Sequence, residues 1–289
     1  FGFPDGRKCV RLGNWIPGRS HGMSGGVLQA YRRLAKSIRI KYSKFVETYD
    51  LGSAFQHTRV VVIGPNCQMD KRDLEHIDAA DVCIVMNKGR RMGIYPELQR
   101  RAKRIDYFHC LDESERWGGG PLDTLELKRA GFTELFYPLA DAELEHNVWD
   151  FHFGNEGMLK LRRIEPALYA EIVRSLGGFR PTSGLAIASA LARTKGCRVY
   201  VSGITFYRKA YMPEYASHLQ DLASIKEQME AHGVHHPDRE YVEFMRLKDT
   251  YGIEVDHQLE TILRAPYTPL FYTAPGDERL VHPPKPTDP

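Results

Sequence analysis

Five short β-branched runs, each stopping at a glycine or a polar residue, constrain this chain more than any other feature. Thr58-Arg-Val-Val-Val-Ile63 stops at Gly64-Pro65-Asn66, Val82-Cys-Ile-Val-Met86 at Asn87-Lys88-Gly89, and Arg198-Val-Tyr-Val-Ser202 at Gly203. Asp106-Tyr-Phe-His-Cys-Leu111 and Glu134-Leu-Phe-Tyr137 complete the set. These runs are apolar on consecutive residues, so both faces of their sheet must be covered. Helical stretches separate them. The pattern predicts an α/β fold, a Rossmann-like, mostly parallel sheet with helices on both faces. Helix is expected over 156–176 and over 183–195, where Leu185 to Ala192 is apolar nearly all round and Gly196 reads as the C-cap. Ser217 with Gln220 reads as a capping box opening a polar helix that ends at Gly233. Pro237 opens another, with Asp238 and Glu240 in its first turn and Gly252 past its end.

The flanks differ from this body, which begins near Gln56. Residues 1–52 read as a basic arm and helix, 53–265 as the main domain, and 266–289 as a proline-rich, loose tail. Residues 1–26 are rich in Gly, Pro and Arg. From Leu28 an amphipathic helix is expected to 49, with Leu28, Tyr31, Ala35, Ile38, Tyr42, Phe45 and Tyr49 in one stripe and six Lys/Arg opposite. Three uses of it are open: docking on the body, pairing with a second copy in a homo-oligomer, or peripheral contact with an anionic inner membrane. Residues 1–50 carry a net charge of +7, which leaves −4 for the rest of a chain whose total is +3. So balanced a total argues against nucleic acid as a partner. The chain opens on Phe1 rather than Met, so a segment ahead of it is left open. The cysteines Cys9, Cys67, Cys83, Cys110 and Cys197 are odd in number and lack CxxC spacing, the usage of buried reduced thiols in a cytoplasmic protein.

Several common chemistries are missing. There is no Walker A loop, GxGxxG, HExxH or GxSxG, and no Cys/His cluster with metal spacing. The nearest approaches to an Asp-x-Asp pair, Asp141-x-Glu143 and Asp112-Glu113, read as surface acids.

In an open α/β sheet, ligands bind beyond the carboxyl ends of the strands. The residues expected there are Gly64, Pro65 and Asn66, then Asn87, then His109 with Asp112 and Glu113, and finally Ser202, Gly203, Thr205 and Tyr207. Arg180-Pro-Thr-Ser-Gly184 opens the buried helix, whose free N–H groups and dipole suit an anion. Thr182 or Ser183 serves equally as a plain cap. His235 and His236 stand at the start of the next helix, near Glu240, as candidate bases or as ordinary surface and capping residues. Amides, hydroxyls, glycines and one Arg suit a nucleotide.

Val60-Val-Val-Ile-Gly-Pro-Asn66, Asp81-Val-Cys-Ile-Val-Met-Asn87, Arg180-Pro-Thr-Ser-Gly184, Val201-Ser-Gly-Ile-Thr-Phe-Tyr207 and the His235 stretch appear in that order. Together they resemble the sialyltransferase superfamily, most nearly bacterial glycosyltransferase family 42, over roughly residues 56–256. Animal family 29 enzymes share the Met-Asn after the second strand and a His-x4-Glu pattern. The resemblance implies a GT-A-like, metal-independent, inverting transferase. It would move a sialic acid or a related ulosonic acid such as Kdo from its CMP donor to a glycan acceptor, with no cofactor. It also implies roles. Asn66 and Asn87 would hold cytidine and phosphate, and Gly64, Pro65, His109, Gly203, Thr205 and Phe206 would complete the nucleotide pocket. Arg180, Thr182, Ser183 and Gly184 would surround the sugar carboxylate and the nucleotide. Tyr207 with Tyr211 or Tyr215 would stabilise the leaving phosphate. His235 would be the base, with His236 the alternative, and 208–234 the lid. Two departures stand out: Gly64-Pro65-Asn66-Cys67-Gln68 replaces the family's Gly-Asn-Gly-Pro-Ser, and His109 replaces an Asn. Two other functions remain: a non-catalytic nucleotide-sugar-binding accessory protein of the same fold, and a membrane-surface scaffold.

Overall fold

The computed structural model describes residues 46–49, 54–115, 118–155 and 158–270. Their framework is one sheet of eight strands, β1 Val46–Tyr49, β2 Arg59–Ile63, β3 Val82–Met86, β4 Ile105–Phe108, β5 Glu134–Tyr137, β6 Lys160–Ile164, β7 Arg198–Ser202 and β8 Glu254–Val255. Their order is β1-β6-β5-β4-β3-β2-β7-β8, and every neighbouring pair is parallel. All five residues of β3 and the last four of β2 are buried, which requires cover on both faces. The α/β, Rossmann-like architecture expected from the sequence is the architecture observed.

The helices are α1 Lys71–Ala79, α2 Tyr95–Arg101, α3 Thr124–Arg129, α4 Glu145–Gly154, α5 Pro166–Ser175, α6 Ser183–Ala192, α7 Pro213–Ala216, α8 Leu222–His232, α9 Pro237–Tyr251 and α10 His257–Arg264. Most start where chemistry demands. Asp70, Asp123, Thr182, Asp221 and Asp256 each accept a hydrogen bond from an N–H of the helix they precede. Helix α6 is buried from Leu185 through Ala192, as its unbroken apolar run requires. The main core runs through the sheet, and α7 and α8 carry a small one of their own, Ala216, Leu219, Ile225 and Met229.

Four local expectations need correction. Residues 46–49, expected in the basic helix, form β1, because Val46 and Thr48 are β-branched and the segment pairs with Leu161–Ile164 of β6. The remainder of that expectation, 28–45, lies outside the described residues, as does the arm. The 156–176 stretch is not one helix: Lys160–Ile164 is β6, and only Pro166–Ser175 is helical. In β6 Leu161 and Ile164 are buried while Lys160, Arg162 and Arg163 are not, and Arg162 pairs with Glu134 at 2.6 Å across the sheet. Helix α6 ends at Ala192 with Arg193 as its cap, so Gly196 (φ 70°) instead turns the chain into β7. Helix α8 is capped by Asp221 rather than Ser217, although it ends at Gly233 (φ 58°) as expected. The first residues of the tail are also tied down. Thr268 O accepts from Arg208 at 2.7 Å, and Leu270 N donates to Asp238 at 3.0 Å.

Leu161 sits on the strand the sequence hides, 1% exposed between β5 and β1. Leu161→Ala is expected to destabilise the protein by about 2–5 kcal/mol in urea unfolding. A loss below about 0.5 kcal/mol would contradict its placement in the core.

Candidate functional site

The ends of β2, β3, β4, β5 and β7 and the amino ends of α6 and α9 surround one cleft of about 320 Å³. Among the residues expected at the site, Pro65, Asn87, Arg180, Thr182, Ser183, Gly184, Thr205, Phe206, Tyr207, Tyr211 and His235 line it. The sheet explains why. Strands β3, β4, β5, β6 and β1 extend to one side of β2, and β7 and β8 lie on the other, the switch of direction beyond which an open α/β sheet binds its ligands.

Helix α6 turns its amino end to the cleft. Thr182 is the cap: its Oγ1 accepts from Leu185 N at 3.4 Å, and its O–H donates to Glu240 Oε2 at 2.6 Å. Thr182 N donates to Glu240 Oε1 at 2.8 Å. The N–H groups of Ser183 and Gly184 belong to the first turn, which has no partners within its own helix. They are the dipolar donors of the cleft wall.

Glu240, 1% exposed, thus joins the first turn of α9 to the first turn of α6. Burial pushes its carboxyl up to about 7, against the downward pull of the two Thr182 bonds. His235 Nδ1 lies 2.8 Å from Arg180 O and 3.8 Å from Glu240 Oε1. A carbonyl only accepts, so Nδ1 carries the proton in this contact and the lone pair of the neutral ring is on Nε2.

Tyrosines form another side. Tyr207 and Tyr211 meet edge to face with centroids 5.8 Å apart, and Tyr211 stacks on Tyr215 at 5.7 Å. Burial raises all three phenols, Tyr215 to about 12 and the other two well above the ordinary value. They therefore stay protonated and able to donate at any neutral pH. Phe206 and Tyr207 both take left-handed backbone, φ 48° and 60°. Each costs about 1–3 kcal/mol, and the turn aims the chain after β7 across the cleft. It starts at Gly203, φ 73°, where an added Cβ would stand 2.0 Å from Cys67 N. No other residue fits there.

Seven expected residues, Glu113 and Ser202 among them, lie outside the cleft wall, and the other five build its support. Gly64 N donates to Ser202 O at 2.6 Å, and Gly203 N donates to Asp256, fastening the β2 and β7 loops. Asn66, 4% exposed, donates from Nδ2 to Thr205 Oγ1 at 3.1 Å. His109 is fully buried: Nδ1 accepts from Leu111 N at 3.0 Å, so Nε2 carries the proton given to Gly120 O at 3.1 Å. Burial lowers it to about 4 and keeps it neutral. His236 caps α9 by accepting from Arg239 N at 3.4 Å and packs edge-on against Phe179.

Other residues of the site were not legible. Asp141 and Glu143, expected as surface acids, hold Arg180: Nε donates to Asp141 at 2.7 Å and Nη2 to Glu143 at 3.3 Å. The Arg180 charge is therefore already matched. Lys88 also lines the cleft, as does Asp112 from the expected third strand end. The glycine run Gly118-Gly-Gly120 packs against Asp112, His109, Asn87 and Lys88 at that corner. Among the described residues, no three His, Cys, Asp or Glu side chains form a metal-holding group, and no helix is long and apolar enough to cross a membrane. Cys67, Cys83, Cys110 and Cys197 are free thiols.

No protein-family model matches the chain, and no curated protein matches it. Among solved structures it is similar to the sialyltransferase CST-II in complex with a trisaccharide acceptor and CMP, at 15% identity, TM-score 0.40, 68% of this chain and 79% of that one. A tyrosine-to-phenylalanine variant of CST-II with CMP gives 15% identity, TM-score 0.41, 68% and 80%.

An acid whose folded value exceeds its unfolded value of 4.5 holds its proton more tightly when native. Native Glu240 is then protonated where the unfolded chain is not, and stability falls as pH rises from about 4.5 through about 7. Glu240→Gln removes this titration. In urea unfolding at several pH values across that window, the wild type is expected to lose more stability than the variant. Parallel curves would refute the coupling.

Proposed function

We propose that the protein is a glycosyltransferase that moves an ulosonic acid, a sialic acid or Kdo, from its CMP donor to a glycan hydroxyl with inversion. The observation that carries the reading is convergence. The amino end of α6, the Tyr207–Tyr211–Tyr215 ladder and His235 lie far apart in sequence and line one cleft.

The chemistry follows from these groups. His235 Nε2 takes the proton of the acceptor hydroxyl while Nδ1 stays on Arg180 O, which fixes the ring. Glu240, 3.8 Å away, once ionised above about pH 7, balances the imidazolium that forms. The acceptor oxygen bonds to the anomeric carbon on the face opposite the phosphate. The bond from that carbon to the phosphate oxygen breaks, and CMP leaves with the electron pair. Tyr207 and Tyr211 or Tyr215 donate to the departing phosphate oxygens, and Ser183 and Gly184 supply N–H donors beside them. Asn87, whose Oδ1 accepts from Cys110 N at 3.0 Å and which also bonds Tyr215, is oriented to hold nucleotide. A CMP-ulosonate ionises readily, so positioned donors and a base meet most of the demand without a divalent ion. Residues 208–234, which hold α7 and α8, serve as the lid, and no cofactor is needed.

The support for this reading over the accessory protein is the retained base and hydroxyl donors, which binding alone does not require. The scaffold reading depends on residues 28–45, outside the described structure.

His235→Ala is expected to lower transfer from CMP-sialic acid or CMP-Kdo by about 10²–10⁴-fold while CMP binding by titration calorimetry stays within about threefold. Full transfer by the variant would remove His235 as the base. Wild-type turnover is expected to be unchanged in excess EDTA, and a chelator-sensitive rate would overturn the metal-independent part of the proposal.

A further inference from the structure

The cleft wall holds two basic side chains, Lys88 and Arg180, in different electrostatic states. Arg180 is bonded to Asp141 and Glu143. Lys88 is 4% exposed, and its Nζ donates one of three N–H groups to a neutral acceptor, Glu115 O. Its other neighbour is the face of Tyr215, 5.9 Å from Nζ to the ring centroid. The carboxylate of Glu115 is turned to Arg91, at 2.7 Å. Among the described residues no carboxylate lies within ion-pair distance of Lys88, and Glu115 and Asp112 attract its charge only from farther off.

The surroundings are built to keep the ammonium there. Lys88 follows Asn87 directly, in the 3₁₀ segment Asn87–Arg91 at the end of β3. Its stem lies along Gly120, φ 79°, where an added Cβ would come within 3.1 Å of Lys88 Cγ. Burial lowers its pKa, the sign that the site withdraws it from water without full compensation. A buried charge of this kind is normally paired directly, and a bound anion would supply the contact that Glu115 and Asp112 do not make. The cleft is where that anion has room.

We propose that Lys88 is the anion ligand of the donor pocket, its ammonium binding the phosphate of the nucleotide under Tyr215. The assignment deepens the transferase reading and rests on it for the identity of the nucleotide. The carboxylate of an ulosonic acid offers the same charged oxygens, and the ligand series below separates the two sources.

The test is titration calorimetry of cytidine, CMP and CMP-sialic acid against the wild type, Lys88→Met and Lys88→Arg, with thermal unfolding of each. Lys88→Met is expected to weaken CMP at least tenfold and leave cytidine within twofold, while Lys88→Arg keeps most of the affinity. Its unfolding temperature is expected to hold or rise, because an apolar chain replaces an ammonium lacking a carboxylate in direct contact. Weakening confined to CMP-sialic acid would keep the Lys88 site and assign it to the carboxylate. Equal affinities in Lys88→Met and wild type, or a parallel loss of stability and of cytidine binding, would overturn the proposal. Should the wild type ignore CMP yet bind another nucleoside monophosphate or inorganic phosphate in a Lys88-dependent way, the cytidine donor falls and the anion site stands. If the wild type binds none of these, both fall.

Discussion

Parallel pairing throughout the sheet is the constraint on which the rest depends. With every strand running the same way, all carboxyl ends lie on one rim, and each crossover helix returns with its amino end at that rim. The order then breaks at β2, with β3 on one side and β7 on the other. The loops after β2 and β7 are joined through Gly64 N on Ser202 O, Asn66 N on Gly203 O and Asn66 Nδ2 on Thr205 Oγ1, and their Pro65 and Thr205 line the cleft. A polar cleft at this place needs no special sequence of its own. It needs only loops with the right ends.

What turns the cleft into a defined site is a small set of buried polar joints. Glu240 accepts both donors of Thr182, so the amino ends of α6 and α9 are held together. His235 is fastened to the same corner through Arg180 O, while Asp141 and Glu143 hold the guanidinium. The joint therefore sets the ring of the candidate base and the free donors of α6 in one geometry. Against the same helix α9, Arg208 lies over Tyr241 at 4.3 Å and bonds Asp238 at 2.9 Å, and it also lies over Tyr267 at 5.1 Å. That contact anchors the start of the α7–α8 segment while Phe206 and Tyr207 stay strained beside the cleft. Of the six described non-glycine residues with left-handed backbone, Asn87, Phe206 and Tyr207 line the cleft, and strain of this kind gathers at working surfaces.

Legibility followed local signal strength. The five central strands were readable because burial on both faces leaves continuous apolar runs. Strand β6 was not, because Lys160, Arg162 and Arg163 mask its two buried residues and their charges are met by Glu134 and Glu145 from other elements. Strand β8 has two residues, too few for any period. At the site, the strand-end rule found the right loops but not the division of labour within them. Asn66, His109 and His236 are polar residues in the expected loops, yet each bonds protein rather than facing the cleft. Lys88 carried no signal, since one lysine after a strand is ordinarily a solvated residue.

The sequence alone determined the α/β class, the central strands, the burial of α6 and the loops that surround the site. These follow from hydrophobic period and backbone chemistry, which act over a few residues. Tertiary structure alone decided which charges are matched and which are not. The partners that settle this for Thr182, Arg180 and His235 lie 58, 39 and 55 residues away, and a side chain's electrostatic state depends on neighbours in space that no local pattern records.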